Sequence, residues 1–112
     1  MLAKRDLATL IDIANAAQAA LDFLGAMSLR EFISDRKAVS SVQHQLMIMG
    51  EAVKRLSAEC KDRMPEIAWG QIARMRDRLI HSYDDVDLEI VWRTVQKDVP
   101  TVLDQIQRLI SE

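Results

Sequence analysis

The sequence predicts an all-α bundle of about five helices, and three observations carry that prediction. Apolar residues recur at alternating steps of three and four along most of the chain, the period of one helical face. Only three Gly and two Pro interrupt 112 residues, which favours long helices and few loops. No strand-like alternation, low-complexity tract or internal repeat is present.

The first helix carries Leu7, Leu10, Ala14, Ala17, Leu21 and Leu24 on one stripe, with Gly25 as its stop. Ser28 is placed to cap a short second helix over Leu29 to Ile33, with Glu31 in its first turn. Asp35 caps a long helix reaching Cys60 or Arg63, whose stripe runs Val42, Leu46, Met49, Val53, Leu56, Cys60. Gly50 lies inside it, where glycine costs roughly 1 kcal/mol relative to alanine. A close helix–helix crossing is the usual compensation and is expected here. Pro65 ends that element, and Asp62 to Gly70 reads as a connection. A fourth helix starts near Trp69, has Ile72, Met75, Leu79 and Ile80 as its apolar positions, carries Arg76 and delivers the chain to His81. Ser82 to Val86 is a turn, and Asp87 caps the last helix, marked by Leu88, Val91, Val95, Val99, Val102, Ile106 and Leu109. Pro100 falls within that helix and should kink or restart it.

The length fits one domain over residues 1–112, with no room for a second core. Such a chain buries only about two-thirds of its surface on folding. With 49% hydrophobic residues, it is expected to hide part of the rest in a two-fold homodimer. The formal net charge of −2 excludes a bulk cationic nucleic-acid binder; any RNA contact must come from a local patch. Cys60 is the only cysteine, which excludes an intrachain disulfide and fits a reducing compartment. The amino terminus lacks a signal peptide's uninterrupted apolar stretch, and no run approaches the roughly 18 apolar residues of a membrane span. A cytoplasmic protein is expected.

The chemistry concentrates in Arg76-Asp77-Arg78-Leu79-Ile80-His81-Ser82-Tyr83. Arginine matches the geometry of phosphate oxygens, and an imidazole with an ordinary pKa of about 6.5 exchanges protons near neutrality. With no metal-ligand cluster beside it, this is equipment for metal-independent phosphodiester cleavage, and no cofactor is expected. Cleaving RNA through its own 2′-hydroxyl needs one group to take that proton and another to protonate the leaving 5′-oxygen. One His81 is too few for both roles at once, whereas a two-fold dimer supplies a second. The competing reading is a histidine that merely complements the helix dipole. Arg76 precedes His81 by five positions, about 140° on a continuous helix. The two share a phosphate only if the helix ends between them or if they work across a dimer. Arg76 then binds the scissile phosphate and offsets developing charge; otherwise it is a surface ion pair with Asp77 or Asp84. Arg74 and Arg78 offer a cationic strip for neighbouring phosphates, or a solvated face. Asp77 is placed to orient His81 or accept a substrate hydroxyl. Tyr83, the only tyrosine, closes the pocket, bonds phosphate, serves as a modifiable hydroxyl, or packs as a turn aromatic.

Other candidates are weaker. His44 has Ile48 at i+4 rather than a second ligand, so a metal site is not expected. Cys60 ends an apolar stripe and reads as core. Gly50-Glu51 lacks the glycine-rich run and lysine of a phosphate loop. Trp69 and Trp92 read as core or interface anchors, and the six methionines as packing.

The pattern Arg76-x4-His81-Ser82-Tyr83 closely resembles the signature of HepT-like proteins, a branch of the HEPN superfamily. The similarity extends to Asp35-Arg36-Lys37, Met49-Gly50-Glu51-Ala52, Lys54-Arg55-Leu56-Ser57, Pro65-Glu66-Ile67 before Trp69, Val86-Asp87 before Val91-Trp92, and the late Pro100. It spans nearly the whole chain in order. The resemblance implies a helical dimer acting as the ribonuclease toxin of a prokaryotic toxin–antitoxin pair, without metal. Arg76 and His81 would be catalytic at the dimer cleft, with Asp77 assisting. The partner would be a small nucleotidyltransferase-fold (MntA-like) antitoxin able to transfer AMP groups to Tyr83, adding negative charge to a phosphate-binding site. The rival within the same resemblance is a non-catalytic subunit that binds or presents substrate for its nucleotidyltransferase.

Overall fold

The computed structural model describes residues 2–112. Among them every regular element is helical. The first, α1 (Lys4–Leu24), ends where Gly25 turns to φ 54° and donates its N–H to Leu21 O at 2.9 Å. Side chains rarely adopt that backbone conformation, which is why glycine stands there. Helix α2 (Leu29–Ser34) opens with a reciprocal cap: Ser28 Oγ accepts the Glu31 N–H, and the Glu31 carboxylate accepts the Ser28 N–H. Helix α3 (Arg36–Arg55) starts where Asp35 accepts the Ala38 N–H at 3.0 Å.

The expected single helix from Asp35 to Cys60 or Arg63 is instead two. α3 stops at Arg55, Leu56 turns extended, and a short α4 (Ala58–Asp62) restarts behind Ser57. Ser57 Oγ accepts the Cys60 N–H, so the serine competes with the helix for its backbone. The buried Asp6 fixes the break from α1, taking the Ser57 N–H at 3.0 Å and its hydroxyl at 2.6 Å. Those two bonds, the hydroxyl's first, hold the Asp6 carboxyl below the usual range. Leu56 and Cys60 stay buried on either side of the break, so the stripe survives while the helix does not. Burial pushes the Cys60 thiol up, consistent with a core residue.

The chain then reaches α5 (Trp69–His81), a 3₁₀ turn over Tyr83–Asp85, and α6 (Leu88–Arg93) capped by Asp87. A π turn over Thr94–Asp98 leads into α7 (Val99–Ser111). In that turn the Val99 N–H reaches Thr94 O, five residues back. This widening immediately precedes Pro100, whose ring would otherwise press on the carbonyl four residues before it. The expected disturbance at the proline is therefore a π turn inside a helical run.

The core lies around α3, with α1 and α5 packed on it and α7 packed on α1. Over 21 residues α1 is long and apolar enough to cross a membrane. Its Leu10, Ile13, Ala17 and Leu24 are nonetheless buried inside the bundle, as in the core helix of a globular fold. Trp69 anchors the start of α5, donating its indole N–H to Lys61 O and Met64 O at 3.2 Å. Trp92 ties α6 to the α1–α2 loop through Met27 O at 3.0 Å.

The crossing expected at Gly50 is the contact that places α5. A Cβ there would overlap Arg76 Cβ and lie 2.9 Å from Ile72 O. The missing side chain thus lets α3 and α5 touch backbone to backbone beside Arg76.

Candidate active site

Helix α5 is the least buried of the long helices: only Trp69 and Leu79 of its 13 residues are buried. Its charged residues divide between two faces. Arg76, pressed against the Gly50 crossing, is half-buried, with 26% of its side chain exposed. Its guanidinium bonds Glu51 Oε2 at 2.9 Å and Asp77 Oδ1 at 3.0 Å. Asp77 is also paired with Lys54. Two cations and two carboxylates, drawn equally from α3 and α5, thus form one network around the arginine.

Each pair is partly solvated and adds little to stability. The consequence is orientation. The guanidinium is held from two sides while its Nε is buried without a partner. An arginine has five N–H donors in a rigid fork, so donors remain for an incoming anion. The Lys54 and Arg76 bonds, in that order, hold the Asp77 carboxyl below the usual carboxylate range.

His81 is exposed and is the last residue of α5. Among the described residues it makes no side-chain hydrogen bond or ion pair. Asp77 lies one turn before His81, about 40° away around α5; its Oδ1 serves Lys54 and Arg76, and among the described residues no bond joins it to His81. The helix also does not end between Arg76 and His81. They therefore stay about 140° apart on one continuous helix.

Arg74 and Arg78 are on the other side of α5 from Arg76, where both line a cleft between α5 and α7. They share a face with His81, which is offset by about 20° from Arg74 and about 60° from Arg78. Tyr83 is 43% exposed in the 3₁₀ turn, and its hydroxyl reaches Ser40 Oγ at 3.4 Å. It is tethered loosely to α3 and is not packed into the core.

Three residues of the Arg76 neighbourhood have no place in the site read from sequence. Glu51 and Lys54 supply the network, and His44, set aside as a metal ligand, lines a shallow groove with Met47, Ile48, Glu51, Arg76 and Ile80. The available signal was register: positions 44, 47, 48, 51 and 55 form one face of α3 beside Gly50. Ile80 is 44% exposed in this groove, with Met47 and Ile48 half-buried beside it.

A family model described as ribonuclease HepT-like matches residues 13–109. A Thermococcus cleftensis protein named as a probable ribonuclease HepT is 38% identical over 98 residues, covering 88% of this chain and 89% of its own. A Methanocaldococcus jannaschii protein provisionally named an RNase is 36% identical over 110 residues, covering 97% and 91%. A Caldanaerobacter subterraneus protein with a similar provisional name is 34% identical over 86 residues, covering 77% of each. No solved structure matches the chain.

Proposed function

The chain belongs to the HepT-like ribonuclease family, and on that premise we propose that it is a metal-independent endoribonuclease toxin whose active site forms between two copies. The observation that carries this reading is the unbroken course of α5 through His81. Arg76 and His81 of one chain diverge by about 140°, so a second chain is what brings them to one phosphate. The sparse burial of α5 and the exposed Ile80 beside Arg76 support self-association on this side of the bundle.

The chemistry follows from the groups present. One His81 imidazole takes the 2′-hydroxyl proton, and the oxygen attacks the adjacent phosphorus. The other His81, protonated, gives its proton to the departing 5′-oxygen. The products are a 2′,3′-cyclic phosphate and a free 5′-hydroxyl. Arg76 offsets the charge that builds on the phosphate oxygens. Asp77, kept ionised by Lys54 and Arg76, assists by holding that guanidinium, and Glu51 holds it from α3.

The toxin is neutralised by a nucleotidyltransferase-fold antitoxin in the cytoplasm. The exposed Tyr83 hydroxyl, with one long bond to Ser40, accepts AMP from it. Each added phosphate places negative charge where RNA phosphate must approach.

The test is incubation of the purified protein with a labelled tRNA pool in excess EDTA, beside His81→Ala. The expected result is cleavage by wild type alone, leaving 2′,3′-cyclic or 3′-phosphate ends. Absence of cleavage by folded, unmodified wild type would overturn the activity and leave a subunit that binds or presents substrate for its partner.

A further inference from the structure

Away from Arg76, a cleft of about 550 Å³ opens where α5 and α7 stand apart over α3. Its floor is apolar and pliable, formed by Leu46 and Met49 of α3 with Ile72 and Met75 of α5. Its rim is polar, with Gln71, Arg74 and Arg78 on the α5 side, Glu66 just before that helix, and Asp98 and Gln105 on the side of α7. In contrast to Arg76, neither Arg74 nor Arg78 has an ion-pair partner among the described residues.

We infer that this cleft is a subsite for one unstacked nucleobase of the RNA strand, next to the cleaved phosphate, and that it favours bases bearing an exocyclic amine. The inference rests on the ribonuclease reading for its occupant and on separate residues for its chemistry. Three features argue for it together.

The first is continuity with the motif. His81 lies on the same side of α5 as Arg78 and Arg74, about 4.5 Å and 10.5 Å further along the axis. Those separations are short enough for a strand bound at the imidazole to place a neighbouring nucleotide at the cleft mouth. The second is charge. Two uncommitted guanidiniums suit the phosphates that flank an extruded base, and an acidic chain has to recruit RNA through such a local patch.

The third is the match between floor, rim and base. Enzymes that take a base out of the stack hold its faces against apolar side chains and read its edge with hydrogen bonds. A glutamine amide pairs with the amine and ring nitrogen of adenine, and a carboxylate accepts from the cytosine amine. Gln71, Gln105 and Asp98 supply those groups. Uracil presents a carbonyl oxygen in place of the amine and meets the Asp98 carboxylate unfavourably.

The experiment uses AMP, CMP and UMP as probes, with the side-chain amide NMR signals of Gln71 and Gln105 as the readout. AMP and CMP should shift both signals, with UMP about tenfold weaker, and Gln105→Ala and Asp98→Asn should each erase that difference. In parallel, wild type should cleave oligonucleotides carrying A or C beside the scissile bond faster than those carrying U, and Gln105→Ala should level the rates. Amide signals unmoved by all three nucleotides, or moved equally by UMP, would overturn the subsite. Amide shifts without RNA cleavage would remove the ribonuclease reading and keep the subsite. Cleavage with no base preference and no amide shifts would do the reverse.

Discussion

Gly50→Ala tests whether the α3–α5 crossing sets the site. The added methyl overlaps Arg76 Cβ and comes 2.9 Å from Ile72 O. A backbone oxygen and a Cβ fixed to the helix cannot swing aside as a side-chain tip does, so the two helices must separate. Overpacking of this kind costs typically 1–3 kcal/mol, and backbone involvement places it near about 3. Alanine returns roughly 1 kcal/mol of helix propensity, leaving a net loss of about 2 kcal/mol. For a domain of this size that corresponds to a fall in Tm of roughly 8 °C, measurable by calorimetry or urea denaturation.

The same separation pulls Arg76 from Glu51 and Asp77 from Lys54, the two pairs that bridge α3 and α5. RNA cleavage should therefore drop by more than the unfolded fraction explains. Gly70→Ala is the control: its Cβ meets only the Arg74 guanidinium, at 3.1 Å, a flexible tip that can move. That variant should be neutral or slightly stabilised. A Gly50→Ala protein as stable and active as wild type would refute the reasoning.

Asp6→Asn addresses the break between α3 and α4. The folded Asp6 carboxyl is depressed, chiefly by its bond from the Ser57 hydroxyl, so its contribution is present above the ordinary carboxylate value of about 3.9 and is lost as pH falls through the folded value. The variant should lose about 2 kcal/mol at pH 7, and urea titrations should show a shallower decline below about pH 4. Tyr83→Phe gives up only an exposed 3.4 Å bond to Ser40, so its stability should stay within about 0.5 kcal/mol of wild type. Mass spectrometry after co-expression with the nucleotidyltransferase should show added AMP units on wild type and none on this variant.

Helix identity was legible because the three-and-four spacing is unbroken from Leu7 to Leu24 and from Leu88 to Leu109. Gly50 was legible for a different reason: glycine inside a strong helical pattern implies a close neighbour, and Arg76 is that neighbour. The Ser57 break was not, since Val53, Leu56 and Cys60 keep their spacing across it, and the bond that fixes it comes from Asp6, 51 residues away. The motif residues stood out by chemical type, but their division between faces needed the observed end of α5. The Glu51, Lys54 and Asp77 network was hidden because it joins positions up to 25 residues apart, as Glu51 to Arg76 does.

The central claim is that both His81 imidazoles act together at one site between two chains. Dimers of one wild-type and one His81→Ala chain, isolated through different tags, test it directly in the EDTA cleavage assay. Loss of one acid–base partner should lower the rate by about 10²-fold or more, far below half the wild-type value. A mixed dimer retaining half the rate or more would mean that a single His81 suffices, and would contradict the account.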